Sequence, residues 1–77
     1  MHFQYYNSNS LLVINPQGKI RILYTPFRVK CISDKVNLKI GVNVYVDEVL
    51  HDNEDRLYFS IEANKYLHSC FLVVISF

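Results

Sequence analysis

The side chains best suited to chemistry in this 77-residue chain are three histidines and two cysteines. His68 stands two residues before Cys70, and Cys31 lies far away in sequence. These residues supply at most three metal ligands, whereas a structural zinc site needs four. Nucleophilic catalysis would need a thiol beside a base and an orienting group, and no spacing requires Cys70, His68 and Asp47 to meet. We therefore predict no catalytic residue, no metal site and no cofactor.

The simpler interpretation of the two cysteines is that they are small apolar side chains of the core, beside a surface histidine. No Cys-x-x-Cys or His-x-x-x-His pattern is present in the sequence. A chain of this length also leaves little room for a ligand pocket of the usual size, roughly 300 Å³ or more. These observations predict a protein that is not an enzyme.

Charge is distributed unevenly along the chain, although the formal net charge is only +1. Residues 1–39 carry six basic side chains against Asp34 alone, while residues 40–77 carry six acids against Arg56 and Lys65. Either the surface is dipolar, or opposite charges pair across neighbouring strands. The near-neutral total argues against a strongly basic nucleic-acid-binding domain.

The basic residues of the first half nevertheless suggest one binding surface. Four of them fall on two predicted strands, with three tyrosines nearby in sequence, and such a set could contact phosphates and stack bases. The alternative is a solvated outer face on which basic side chains discourage edge pairing. The residues of this candidate nucleic-acid site are Lys19, Arg21, Arg28 and Lys30.

The second half suggests a different surface, because an acidic turn lies between two predicted strands that carry outward tyrosines. Exposed tyrosine beside charge is typical of protein-recognition surfaces. The turn lacks the residue order and the glycine of a calcium loop. The alternative is that the tyrosines pack against the N-terminal residues. The candidate partner-binding residues are Tyr45, Asp47, Glu48, Asp52, Glu54, Asp55 and Tyr58.

The elements that must position these residues are strands. Valine, isoleucine, tyrosine and phenylalanine are abundant, alanine occurs once, and no window of twelve residues has helical periodicity. Residues 11–15 and 20–24 flank Pro16-Gln17-Gly18-Lys19, which predicts a hairpin. Residues 27–32 alternate, with Phe27, Val29 and Cys31 predicted to face inward. A change of phase between residues 46 and 49 predicts a bulge or a bend at Asp47.

From residue 27 onward, the order of elements resembles an SH3-like barrel. Residues 27–32 match its first strand, and Leu38-Lys39-Ile40-Gly41 is similar to the segment that ends its long first loop. Residues 44–50 and 56–62 match the central hairpin, residues 66–69 the 3₁₀ turn, and residues 71–75 the closing strand. The resemblance implies an all-β fold, a small barrel of five strands, with an extra N-terminal hairpin that covers one edge.

The residues with which SH3 domains bind proline-rich peptides are missing from this sequence. The first strand reads FRVKCIS, the chain has no tryptophan, and the last segment reads LHSCF. The resemblance therefore implies a fold and not that activity, since SH3-like barrels also bind proteins and nucleic acids in other ways.

Taken together, the sequence predicts an N-terminal arm over residues 1–10 and a single domain over residues 11–77. We expect a cytoplasmic, non-enzymatic protein-binding module that acts as an adaptor, or as a small inhibitor of the phage or mobile-element type. Its expected partner is another protein with a basic surface. We do not expect it to bind a membrane. Nucleic-acid binding through the basic strands is the alternative, and self-association through an exposed strand edge remains open.

Overall fold

The structure is a computed structural model that describes residues 2–77. In this range the chain contains strands, turns, one short 3₁₀ segment and no α-helix. The 3₁₀ segment spans His68–Cys70. The strands are β1 (His2–Asn7), β2 (Ser10–Ile14), β3 (Ile20–Tyr24), β4 (Phe27–Cys31), β5 (Asn43–Val46), β6 (Glu48–His51), β7 (Leu57–Ile61), β8 (Asn64–Leu67) and β9 (Phe71–Val73).

Among residues 2–77, the strands form three antiparallel sheets of three strands each. Sheet A has the order β1-β2-β3, sheet B the order β5-β4-β9, and sheet C the order β6-β7-β8. The predicted bend at Asp47 is present, because β5 ends at Val46 in sheet B and β6 begins at Glu48 in sheet C. The predicted first hairpin is also confirmed as β2 and β3.

The core lies between the inner faces of the three sheets. Alternate residues of β4 and β7 are buried, as the sequence pattern predicts: Phe27, Val29 and Cys31 on one strand, and Leu57, Phe59 and Ile61 on the other. The Phe27 and Phe59 rings meet edge to face with their centroids 5.5 Å apart, a favoured aromatic geometry. Sheet A contributes Leu11 and Val13, both fully buried.

The predicted five-stranded SH3-like barrel is wrong. The structure has three small open sheets, and no closed barrel forms within residues 2–77. The bend at Asp47 explains this, because it places β5 in sheet B and β6 in sheet C, where a barrel would need one continuous strand. The continuous apolar run over residues 71–75 predicts a closing strand buried on both faces, but Leu72 is 55% exposed and β9 is buried on one face only.

The N-terminal hairpin of β2 and β3 belongs to sheet A and does not cover the edge of a barrel. Residues 2–7 pair with β2 along its length, and the inner face of sheet A packs on β6. The backbone N–H of Val49 donates to the carbonyl of Ser8 at 2.9 Å, and the rings of Tyr5 and His51 lie 4.1 Å apart. Sheet A therefore has one face on the core and one face turned away from it.

Candidate functional site

The outward face of sheet A is apolar. The ladder between β2 and β3 sets Leu12 opposite Ile22 and Ile14 opposite Ile20, on the side away from buried Leu11. Leu12, Ile14 and Ile22 are partly buried, yet none of them packs against the core cluster. Ile20 and Tyr24 are 64% and 68% exposed. We call these five residues, Leu12, Ile14, Ile20, Ile22 and Tyr24, the outer face of sheet A.

The backbone of β3 presents a second unfilled surface, its free edge. The N–H of Asn15 donates to the carbonyl of Lys19, and the N–H of Thr25 to that of Asn9, both at 2.9 Å. Hydrogen-bonded residue pairs occur at every second position of an antiparallel ladder. The backbone groups of Arg21 and Leu23 therefore also bond to β2, and those of the alternate residues point to the free edge. The N–H and C=O groups of Ile20, Ile22 and Tyr24 accordingly face away from the sheet, and they have no hydrogen-bond partner within residues 2–77.

Little protects this edge. Natural proteins usually blunt a free strand edge with charged side chains, proline or a bulge. Here Arg21 lies on the inner face, where its guanidinium donates to the carbonyl of Ser76. Lys19 precedes the strand and Pro26 follows it, so the five residues of β3 itself carry no such device on the edge.

The acidic turn between β6 and β7 is organised by one of its own carboxylates. Asp52 accepts hydrogen bonds from the backbone N–H groups of Glu54 (2.9 Å) and Arg56 (3.0 Å). It also accepts from Arg56 Nε at 2.7 Å and from the hydroxyl of Tyr58 at 3.1 Å. Both ion pairs in residues 2–77 belong to Arg56, with Asp52 and with Glu54. The turn therefore engages Asp52 internally, with one cation, Arg56, among its three acids.

The pKa values of this turn follow from those contacts. The backbone N–H of Arg56, followed by its side chain and by the N–H of Glu54, holds the pKa of the Asp52 carboxyl well below its usual range. Partial burial and the bond to Asp52 raise the pKa of the Tyr58 hydroxyl. Hydrogen bonding to Asp52 likewise raises the pKa of Arg56. All three groups are held in the protonation states that the network needs at neutral pH.

The other predicted partner-binding residues lie on separate surfaces. Asp47 accepts from the N–H of Glu62 at 3.1 Å and so fixes the turn after β7. Glu48 is exposed on the outer side of sheet C, opposite Ser60, whereas Tyr45 is 58% exposed on sheet B. Asp55, at a positive φ of 60°, and Glu54 are exposed at the turn.

The four predicted nucleic-acid residues are split between two sheets. Lys19 and Arg21 belong to sheet A and its turn, while Arg28 and Lys30 are exposed on β4 of sheet B. Arg28 lies opposite Tyr45 in the ladder. The outer side of sheet B therefore combines two cations with one exposed aromatic ring, a combination that sequence reasoning divides between two candidate sites.

Sequence reasoning missed an open groove between β1 and the acidic turn. The groove has a volume of about 530 Å³, which is larger than we expected for so short a chain. Two histidines line it: the ring of His51 lies tilted against that of Tyr5, and the Nδ1 atom of His68 lies 3.3 Å from the carbonyl of Leu57. Its other lining residues include Phe3, Gln4, Asp55 and Arg56. Only the fold brings them together, so no sequence spacing could have found them.

The cysteines are free thiols in the structure. Cys31 is buried, with its Sγ 3.4 Å from the carbonyl of Ser33, and Cys70 is half-buried. The ladder between β4 and β9 places Phe71 opposite Cys31, and Cys70 is the residue immediately before Phe71. Within residues 2–77, no three histidine, cysteine, aspartate or glutamate side chains come together as metal ligands.

Comparison with known proteins found no matching family model, curated protein or solved structure. Across residues 2–77, there is no helix with the length and apolar character needed to cross a membrane. Hypotheses about function therefore depend on the surfaces described above.

Proposed function

We propose that this chain is a non-enzymatic protein-binding module whose partner covers the outer face of sheet A. The observation that carries the proposal is a sheet face of leucine, isoleucine and tyrosine that does not pack on the core. Contiguous apolar surface of this kind marks interaction sites in proteins that are otherwise well folded.

The composition of the face favours a protein as the partner. Its five residues are uncharged, so the free energy of binding comes from removing apolar area from water. Tyr24 lies at the end of β3 and offers a rigid ring with a polar hydroxyl, a combination enriched at the energetic centres of protein interfaces. A module of this kind works by occupying a surface, either as an adaptor or as an inhibitor.

The acidic residues have a supporting role in this proposal. Asp52 and Asp47 are engaged by the turns that they stabilise, whereas Glu48, Glu54 and Asp55 remain exposed. Exposed charges at the rim of an interface mainly accelerate association with a partner of opposite charge. A basic partner surface would therefore bind faster, with most of its affinity still derived from the apolar face.

The test is affinity capture from the source cells, with nuclease present, using three versions of the tagged protein. Leu12→Lys places a charge in the middle of the outer face, and we expect it to lose the captured partner. Ile40→Lys makes a similar change at a loop residue that is 59% exposed, and we expect it to retain the partner. Equal capture by the unmodified protein and Leu12→Lys would contradict the proposal.

Nucleic-acid binding through sheet B is the second candidate. The observation in its favour is the exposed pairing of Arg28 with Tyr45, beside Lys30 on the same strand face. Cations contact phosphates while an aromatic ring stacks on a base. This surface is small, so we rank it below the apolar face.

A salt titration with random single-stranded oligonucleotides tests this second candidate. If sheet B binds phosphates, affinity falls as salt rises. Reversing the charge of Arg28 and Lys30 together then reduces the slope by about 1.4, because each of two lost phosphate contacts contributes about 0.7 on a single strand. The matched control reverses Lys35 and Lys39, two exposed lysines of the following loop. Absence of binding at low salt would remove the candidate.

A further inference from the structure

We infer that β3 is a self-pairing edge: two copies of the chain join antiparallel through β3 and form one six-stranded sheet. This goes beyond the proposed function, because it concerns the edge of sheet A and a second copy, not the outer face and another protein. The inference starts from the outward N–H and C=O groups of Ile20, Ile22 and Tyr24, which have no partner within residues 2–77.

The positions of the outward groups suit a two-fold axis. They occur at every second residue of a five-residue strand, with Ile22 at the centre. Antiparallel pairing about Ile22 sets Ile22 against its own copy, and Ile20 against Tyr24 of the other copy. Each of these three pairs exchanges two hydrogen bonds, so the junction contains about six. No backbone bond of the monomer has to break, because the bonds to β2 use the alternate residues.

The side chains are compatible with this register. On the outer face, isoleucine lies beside isoleucine and beside tyrosine, and β-branched and aromatic cross-strand pairs are favourable. On the inner face, Arg21 lies opposite Leu23 of the other copy, so identical charges do not meet directly. An exposed edge strand that carries apolar side chains and no charge on its free edge is a template for such pairing.

Joining the edges has a consequence for the outer face. Sheet A of each copy continues into that of the other, in the order β1-β2-β3-β3-β2-β1, and the two apolar faces lie on the same side. The joined face therefore has twice the apolar residues of one copy and two-fold symmetry. A partner of this face would accordingly meet one dimer and not one chain.

The experiment measures molar mass by sedimentation equilibrium from about 1 µM to about 1 mM chain, the range of moderate to weak association. We expect the unmodified protein to reach the dimer mass within this range. Ile22→Lys sets two like charges against each other, and we expect it to raise the dissociation constant by at least about tenfold. Leu12→Lys, on the same face but one strand away from the edge, is the matched control, with a change of less than about threefold.

Charge pairing tests the register independently of any effect on folding. Ile22→Glu and Ile22→Lys are each expected to dimerise at least about tenfold more weakly alone than when they are combined, because residue 22 of the mixed dimer faces an opposite charge. Circular dichroism of each variant confirms that it is folded. A monomeric unmodified protein at the highest concentration overturns the inference. It is equally overturned if Leu12→Lys dissociates the dimer as strongly as Ile22→Lys, or if the two charged variants fail to combine.

Discussion

The acidic turn between β6 and β7 and the free edge of β3 differ in how far their polar groups are satisfied. In the turn, one carboxylate accepts four hydrogen bonds, and Arg56 pairs with both Asp52 and Glu54. At the edge, the backbone groups of three residues have no partner within residues 2–77, and their side chains are apolar. The turn satisfies the hydrogen bonds of its central carboxylate internally, whereas the edge of β3 leaves backbone groups without partners and the face beside it does not pack on the core.

A dense run of charge in a sequence does not by itself show that the charges are available to another molecule. A charged turn can use its charges to hold its own backbone, and little binding free energy then remains for another molecule. An apolar strand looks like core in a sequence, yet one face of β3 does not pack on the core cluster and its edge has no hydrogen-bond partner within residues 2–77. Exposed apolar groups and unpaired backbone are the stronger indication of a missing partner.

The largest expected effect is a difference in the free energy of unfolding between variants on the two faces of sheet A. Leu11 is fully buried on the inner face, so Leu11→Ala should lower the free energy of unfolding by about 2–5 kcal/mol. Leu12 lies on the outer face and does not pack on the core, so Leu12→Ala should cost less than about 1 kcal/mol. Urea unfolding in dilute solution, followed by fluorescence of the six tyrosines, gives both values.

Similar losses in the two variants would mean that Leu12 is covered in the folded monomer. The outer face of sheet A would then be part of the core, and sheet A would no longer differ from the acidic turn in having a surface without a partner. Val13→Ala against Ile14→Ala repeats the comparison one step along β2, with Val13 fully buried and Ile14 outside the core cluster.

The next effect concerns the turn. Asp52→Ala removes the acceptor of four hydrogen bonds and leaves the N–H groups of Glu54 and Arg56 without their partner. We expect a clear fall in the urea midpoint. Glu54→Ala is the control, because the Glu54 carboxylate makes only a longer ion pair at 3.6 Å and its side chain is 73% exposed. Equal midpoints for the two variants would show that Asp52 does not organise the turn.

This finding changes how the acidic turn can be tested for binding. Charge reversal at Asp52, Glu54 and Asp55 together is the natural experiment from the sequence, yet reversal at Asp52 would disrupt the turn whether or not a partner binds there. Loss of binding in that triple variant would therefore be uninformative. Exposed acids that do not hold the turn together, such as Glu48 and Glu54, are the appropriate positions.

Acid should weaken the turn in a way that depends on Asp52. The folded chain holds the pKa of Asp52 below the ordinary value of 3.8, so the charged form is the stabilising one. Its contribution is fully present above about pH 5, and it is lost progressively as the pH falls through 3.8 and below. We expect the urea midpoint of the unmodified protein to fall between about pH 5 and pH 3 by more than that of Asp52→Asn. Parallel pH profiles would assign the acid sensitivity to other carboxylates.

Alternation along single strands was predictable, because the period of two is local. The burial of Phe27, Val29 and Cys31 and the first hairpin both follow from the order of apolar and polar residues. The bend at Asp47 was visible for the same reason, as a change of phase between Val46 and Val49. These features need no knowledge of which strands become neighbours.

Sheet assembly was not predictable to the same degree. The prediction of an SH3-like barrel is wrong because nothing in the sequence shows whether strand pairing continues through Asp47 or ends there. β1 was expected as an arm, since Phe3 and Tyr5 gain their burial only by packing against distant residues such as His68 and His51. The groove and the Asp52 network depend on the same long-range placement, which single-strand patterns do not contain.

The smallest expected effect concerns the exposed acids of the turn and of β6. If the partner of the outer face carries a basic rim, Glu54→Lys and Glu48→Lys should each reduce its association rate by about two- to fivefold at low salt, with little change at high salt. Asp34→Lys makes the same change of charge at an exposed loop residue outside the turn and β6, and it should have little effect. Stopped-flow or surface-based kinetics with the captured partner gives the rates. A decrease that persists at high salt would instead place these glutamates inside the interface, and the turn would then be a binding surface in spite of its satisfied network.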